Sequence, residues 1–226
     1  MSQCINPKCL RININHNKFC NFCGFPLLLV KRYRPIRFLG QGGFGRTFIA
    51  LDELLPSKPQ CVIKQFFPQV QGANSKQKAK EMFEKEAQHL ERLGTKFEQI
   101  PTLLAYFEEN NYQYLVQEFI DGLTLEQELE KNGKFSQEQV KQVLIDLLFI
   151  LDFLHQNKVI HRDIKPSNII RRSSDKKLFL VDFGVSKLVE VSSNTGQWEV
   201  LEAGKWRKES RTSDTKECRY VRNWLI

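Results

Sequence analysis

His161-Arg162-Asp163-Ile164-Lys165-Pro166-Ser167-Asn168, followed by Leu178-Phe179-Leu180-Val181-Asp182-Phe183-Gly184, is the stretch that decides how the chain is read. Two acids and an amide lie within the span 163–182, each at the end of a short apolar segment. Such a set suits phosphoryl transfer, in which a base meets a hydroxyl and hard oxygen ligands grip a divalent metal beside it. Asp163 is the candidate base. Asn168 and Asp182 offer oxygens for Mg²⁺ (or Mn²⁺), and the Lys165 charge can steady a travelling phosphoryl group.

His161-Arg162-Asp163-x-Lys165-x-x-Asn168 with Asp182-Phe183-Gly184 resembles the catalytic and metal-binding loops of the eukaryotic-type protein kinases. Lys165, two residues after Asp163, resembles the serine/threonine class. The resemblance implies an α+β, bilobal kinase-like fold, with an antiparallel β-sheet N-lobe carrying helix C and a helical C-lobe. It implies ATP and a protein substrate as partners.

The chain has 226 residues, 41% of them hydrophobic, and a formal charge of +8. The composition supports a real core. Positive charge raises nucleic acid, an anionic membrane or an acidic substrate as partners. The basic residues are scattered, however, and no nucleic acid is expected. Met1-Ser2-Gln3-Cys4 lacks the apolar region of a signal peptide, and the run Phe25–Val30 is too short to span a bilayer. The expectation is a cytoplasmic protein with no membrane segment.

Four of six cysteines fall in the first 23 residues, as Cys4-x4-Cys9 and Cys20-x2-Cys23-Gly24. Four thiolates suit tetrahedral Zn²⁺, and Gly24 permits the positive φ of the second turn. His16 is an alternative ligand. With few apolar residues, this unit (1–26) draws its folding energy from metal. It resembles a zinc ribbon, like the four-cysteine prefix of some cyanobacterial serine/threonine kinases. Residues 27–31 read as a link.

Tyr33–Leu39 and Phe48–Leu51 read as strands around Gly40-Gln41-Gly42-Gly43-Phe44-Gly45-Arg46-Thr47. No helix follows the last glycine, so a dinucleotide fold is excluded. A glycine-rich hairpin laying N–H groups over phosphates fits. Thr47 stands where the kinase pattern usually has Val, so the lid over adenine is more polar. Lys64 interrupts an apolar strand, Cys61–Gln65, and needs an anionic partner if buried; the alternative is an edge lysine facing water. The resemblance makes it the phosphate-pairing lysine, with Val62 narrowing the adenine slot.

Ser75–Leu93 reads as a helix capped by Ser75 and ended by Gly94, with Ala79, Met82, Phe83, Leu90 and Leu93 at helical spacing. Glu86 lies at the edge of this stripe and resembles the helix C glutamate; Glu84 is its rival. Leu103–Phe107 and Tyr112–Gln117 read as strands. The resemblance then makes Gln117 the gatekeeper and assigns the adenine-reading main chain to Glu118 and Ile120. Helices are predicted over Thr124–Asn132 and Ser136–Gln156, each with a capping box. His155 and His161 read as structural, with His161 packing under Phe183 and Leu90 and Leu103 completing a stack.

The kinase domain is assigned to 33–196 (N-lobe 33–120, partial C-lobe 121–196). All seventeen Phe lie at or before Phe183 and all three Trp after it, which marks a change of character. Residues 197–226 therefore read as an atypical tail, disordered or out of frame, following an activation-loop-like Ser192–Gly196. The C-lobe is expected to be incomplete, leaving apolar surface of the helix Ser136–Gln156 exposed. A catalytically inactive kinase-like fragment that binds nucleotide or a partner is the competing function, and a zinc-dependent nucleic-acid binder a third.

Overall fold

The structure, a computed structural model, describes residues 1–14, 17–69 and 72–188. The element order begins with two short strands, β1 (Ser2–Gln3) and β2 (Ile12–Asn13), which pair antiparallel. Then come β3 (Tyr33–Gln41), β4 (Gly45–Asp52) and β5 (Gln60–Phe66), helix α1 (Ala73–Gly94), and strands β6 (Leu103–Glu109) and β7 (Tyr112–Glu118). Strands β3 to β7 form one antiparallel sheet in the order β3-β4-β5-β7-β6.

At its centre, over Phe48–Ala50 and Tyr114–Gln117, this sheet is buried on both faces. On β5, Cys61 and Ile63 point one way while Val62 and Lys64 point the other, as the two-residue period of a strand requires. Cys61 and Ile63 join Phe48, Ala50, Tyr114 and Val116 in a core completed by Ile5, Leu29 and Tyr33. The cysteine-bearing prefix thus lies on the outer face of the sheet. Leu27 and Leu29, read as part of a link, are fully buried. Arg34 fastens the junction, donating to Ser2 Oγ at 3.3 Å and to the Asn17 carbonyl at 3.0 Å while pairing with Glu53 at 2.6 Å. Phe25 meets Tyr112 edge-on, with ring centroids 6.4 Å apart.

Helix α1 starts at Ala73, two residues before the predicted cap. Its N-cap is Gly72, and no side chain caps it. Gly94 does not terminate it either. The helix runs through Gly94, where a Cβ would come 2.4 Å from the Pro101 carbonyl oxygen; a close crossing, not a left-handed turn, requires glycine. Asn110 and Asn111, at φ 52° and 64°, make the tight turn between β6 and β7.

The second half contains β8 (Gly122–Thr124), α2 (Leu125–Asn132), α3 (Gln137–Gln156), β9 (Val159–Ile160), a 3₁₀ turn (Pro166–Asn168), β10 (Ile169–Arg172), β11 (Leu178–Leu180) and β12 (Lys187–Leu188). Both predicted capping boxes are present, Thr124 with Gln127 and Ser136 with Gln139. Helix α3 buries Val140, Val143, Leu147, Ile150 and Leu154, a stripe at helical spacing. These residues share a core with Leu90, Leu93, Val159, Ile169, Leu178, Leu180 and Phe183, which joins the two halves. The opposite face of α3 is bare: Leu148 is 63% and Phe149 66% exposed. Leu144 lies on that side too, at 38%. No helix among the described residues is long and apolar enough to cross a membrane. Residues 189–226, which hold the activation-loop-like Ser192–Gly196 and the tail 197–226, and His16 lie outside the described residues.

Candidate active site and cysteine cluster

Lys64 sits mid-strand on β5, opposite Thr47 on β4 and Leu115 on β7. Paired residues share a face, so Thr47, Lys64 and their i±2 neighbours Ile49, Val62 and Gln117 line the inner side of the sheet. Glu86 projects from α1 and is 3% exposed. The Lys64 ammonium forms an ion pair with Glu86 and donates to Asp182 Oδ1 at 3.1 Å. Burial works to lower the Lys64 pKa, but the two carboxylates outweigh it and hold the ammonium above its ordinary value. The Lys64 charge in turn holds Asp182 below the usual carboxylate range. Glu84 is only partly buried and faces Tyr106, so of the two rivals it is Glu86 that meets Lys64.

The 161–168 loop forms a second cluster. Lys165 Nζ is 2.8 Å from Asp163 Oδ2. The Asn168 amide donates to the same Oδ2 and to the Asp163 carbonyl, both at 2.9 Å. One Asp163 oxygen is therefore held in place, and the Asn168 amide nitrogen is engaged, which orients its oxygen away. His161 explains why the loop lies here. Its Nε2 donates to the Val181 carbonyl at 3.2 Å, its Nδ1 accepts from the Asp163 N–H at 3.3 Å, and its ring meets Phe183 edge-on at 4.8 Å. Burial lowers its pKa, consistent with this neutral form. His155 is exposed on α3.

The glycine-rich segment spans the end of β3 (Gly40, Gln41), a turn (Gly42, Gly43, Phe44) and the start of β4 (Gly45, Thr47). Gly42 N–H donates to the Gly45 carbonyl at 2.8 Å and closes the turn. At Gly45 a Cβ would lie 1.9 Å from the Gln65 carbonyl oxygen, so only glycine fits. The Phe44 ring reaches the backbone of the Asp182–Gly184 turn: a Cβ on Gly184 would lie 3.5 Å from it. After β7, the Glu118 N–H donates to the Thr102 carbonyl at 2.9 Å, while the Ile120 N–H has no main-chain partner among the described residues. Gln117 is buried, and its Oε1 has no hydrogen-bond partner there.

The sulfurs of Cys4, Cys9, Cys20 and Cys23 all lie within 4.8 Å of one another. Cys4 and Cys23 are 3.6 Å apart, Cys9 and Cys20 3.8 Å. Zinc–sulfur bonds of about 2.3 Å in a tetrahedron set sulfurs about 3.8 Å apart, so the cluster has the dimensions of a metal site. Gly24 takes φ 70° at the turn after Cys23. Two asparagines that the sequence did not single out support the sulfurs. Asn13 donates to Cys20 Sγ at 3.4 Å and Asn6 to Cys23 Sγ at 3.7 Å. For Cys20, burial is outweighed by donors from Phe22, Asn13 and Cys23, which bring its pKa down to about 6.

The family described as the protein kinase domain matches residues 33–207. This chain belongs to the protein kinase family. The chain is 49% identical over 207 residues to serine/threonine-protein kinase B of Synechocystis sp., a match that takes in 90% of this chain and 36% of that protein. It is 41% identical over 230 residues to serine/threonine-protein kinase F of the same organism, covering 89% of this chain and 46% of that one. With serine/threonine-protein kinase PknA of Nostoc sp. it shares 48% over 157 residues, 70% of this chain and 28% of the other. The chain thus spans between about a quarter and a half of these relatives' lengths. Two kinase-domain residues carried no signal in the motifs: His89 on α1 and Ser186 after the Asp-Phe-Gly turn, whose contact is described below.

Proposed function

We propose that the chain is a serine/threonine protein kinase that transfers the γ-phosphoryl group of ATP to a hydroxyl of a protein substrate. One observation carries this reading: Lys64 bridges Glu86 and Asp182, residues from three separate elements. Holding a lysine between two carboxylates adds little to stability once desolvation is counted, whereas a triphosphate needs that cation. The names of the relatives and the position of Lys165 support the serine/threonine class.

In this reading the free oxygen of Asp163 accepts the hydroxyl proton as the substrate oxygen bonds to the γ-phosphorus. The bond from that phosphorus to the β-bridging oxygen breaks, and ADP leaves. Lys165, tethered to the other Asp163 oxygen, offsets charge on the transferring group. Lys64, oriented by Glu86, holds the phosphates, and N–H groups of residues 40–45 cover them. Asn168 and Asp182 present the hard oxygens that would hold Mg²⁺ or Mn²⁺, which supplies charge neutralisation of the phosphates when bound. The purine reaches the Glu118 carbonyl, because the Glu118 N–H already serves Thr102, and the Ile120 N–H; Thr47 and Val62 flank it. Zn²⁺ at the four cysteines is a structural metal, and a reducing, cytoplasmic setting suits four free thiols.

The bare face of α3 favours a second reading, an inactive fragment that binds nucleotide without transferring phosphate. Radiolabelled ATP with a generic protein substrate separates the two, using Asp163→Asn as control. Labelling of the substrate by the wild type, reduced about 10²- to 10⁴-fold in Asp163→Asn, is expected. Equal labelling by both, or none by a wild type that binds nucleotide, overturns the transferase reading.

A further inference from the structure

Helix α1 buries Glu86, Ala87, His89 and Leu90 within one turn; Glu86, His89 and Leu90 are exposed by 3%, 3% and 0%. Glu86 and Leu90 have partners already described. His89 has a different one. Its Nδ1 lies 2.5 Å from Ser186 Oγ, and Ser186 Oγ lies 2.5 Å from the Phe183 carbonyl oxygen. The Ser186 N–H donates to the same carbonyl at 3.0 Å and closes the turn after Asp182-Phe183-Gly184.

Proton accounting fixes the direction of this chain. A carbonyl only accepts, so the single Ser186 hydroxyl proton goes to Phe183. The imidazole must then donate through Nδ1–H. That is the opposite tautomer from His161, which donates through Nε2–H to Val181. The Phe183 N–H faces Glu86, so α1 engages both ends of one peptide-bonded residue: its N–H through Glu86 and its carbonyl through Ser186 and His89. Next to it, Asp182 sits at φ 69°, the left-handed region. Such a conformation persists only when neighbours hold it.

We propose that His89 and Ser186 are positioning residues that hold the Asp182-bearing loop in its cation-facing conformation, a second brace from α1 beside the Lys64–Glu86 pair. The proposal rests on the kinase reading of this site. Loosening the brace lets Asp182 relax, so the deficit falls on the Mg²⁺ requirement for nucleotide binding and leaves binding at saturating Mg²⁺ nearly intact.

The test is Mg²⁺-dependent binding of a fluorescent ATP analogue to the full chain and to His89→Leu, His89→Asn, Ser186→Ala and His89→Leu/Ser186→Ala. Asn places an N–H donor where His has Nδ1, so it should restore the bond. Expected are about three- to ten-fold increases in half-saturating Mg²⁺ for His89→Leu and Ser186→Ala, the range of one net hydrogen bond. The double variant should be no worse than the poorer single one, and His89→Asn should lie near the wild type. Ser186→Ala is a small truncation that keeps the proposal testable if His89→Leu fails to fold. Nitrogen NMR of the imidazoles supplies an arm independent of nucleotide, with Nδ1 protonated in His89 and Nε2 in His161. Additive effects, an unchanged Mg²⁺ requirement in Ser186→Ala, or His89 protonated at Nε2 overturns the brace alone. A wild type that binds no nucleotide overturns the kinase reading and the brace with it.

Discussion

The sheet β3–β7 and helix α3 are both apolar on two sides, yet they end in opposite situations. The sheet is covered on its inner side by α1 and the shared core, and on its outer side by Ile5, Leu29 and their neighbours from the prefix. Among the described residues, helix α3 is covered on one side only, and Leu148 and Phe149 are exposed. The lobe assigned to nucleotide is therefore closed by residues of this chain, provided that the cysteine unit holds its shape. The helix behind the 161–168 loop is held, among the described residues, by a single stripe.

The contrast is broken most severely at the cysteines. Chelation, or Cys20→Ser with Cys23→Ser, should unfold the prefix and uncover Tyr33, Phe48 and Ile63. Structural metal contributes on the order of 10 kcal/mol to such units, and losing several kcal/mol lowers the melting temperature of a chain this size by roughly 10 °C or more. Calorimetry with and without chelator measures it; an unchanged melt would mean that apolar contacts alone secure the outer face. Next, Ile150→Ala, on the buried stripe of α3, should cost about 2–5 kcal/mol by denaturant titration.

A smaller effect is expected where the two regions meet. Burial brings the His89 pKa down to about 4, against an ordinary 6.5, with Arg92, Lys85 and His161 adding to the shift. The unfolded chain then takes up the proton first, so the neutral ring's contribution is complete above about pH 6.5 and is lost as pH falls towards 4. At pH 5 the loss is about 2 kcal/mol, and His89→Asn should flatten that slope. Smallest of all, Leu148→Gln on the bare face should change stability by no more than about 0.5 kcal/mol while reducing self-association in sedimentation. A cost like that of Ile150→Ala would mean that this face is covered in solution.

Much of this was legible in the residues because it is local. Ser136 with Gln139 and Thr124 with Gln127 announce their helix starts, and Asn110-Asn111 its turn. The glycine spacing before β4 and the acids at 163 and 182 are likewise readable from motif alone. Misread features depend on distant neighbours. Gly94 looks like a helix stop, but the strand approach at Pro101 is what demands it. Ser75 looks like a cap, but α1 begins earlier, at Ala73. Burial of both faces at the sheet's centre does have a local pattern: Phe48-Ile49-Ala50 and Tyr114-Leu115-Val116 are apolar at every position, as in strands covered twice. Nothing in the sequence pairs His89 with Ser186, because a contact across 97 positions has no local pattern.

The convergence of Lys64, Glu86 and Asp182 on one triphosphate is tested most directly by nucleotide binding. A fluorescent ATP analogue should be titrated onto the purified chain with Mg²⁺ present and omitted, beside Lys64→Met. Convergence predicts Mg²⁺-dependent binding that weakens by roughly tenfold or more in Lys64→Met, the effect of removing a charged hydrogen-bond donor. Equal binding by both proteins, or no binding by a folded wild type at saturating Mg²⁺, would contradict it.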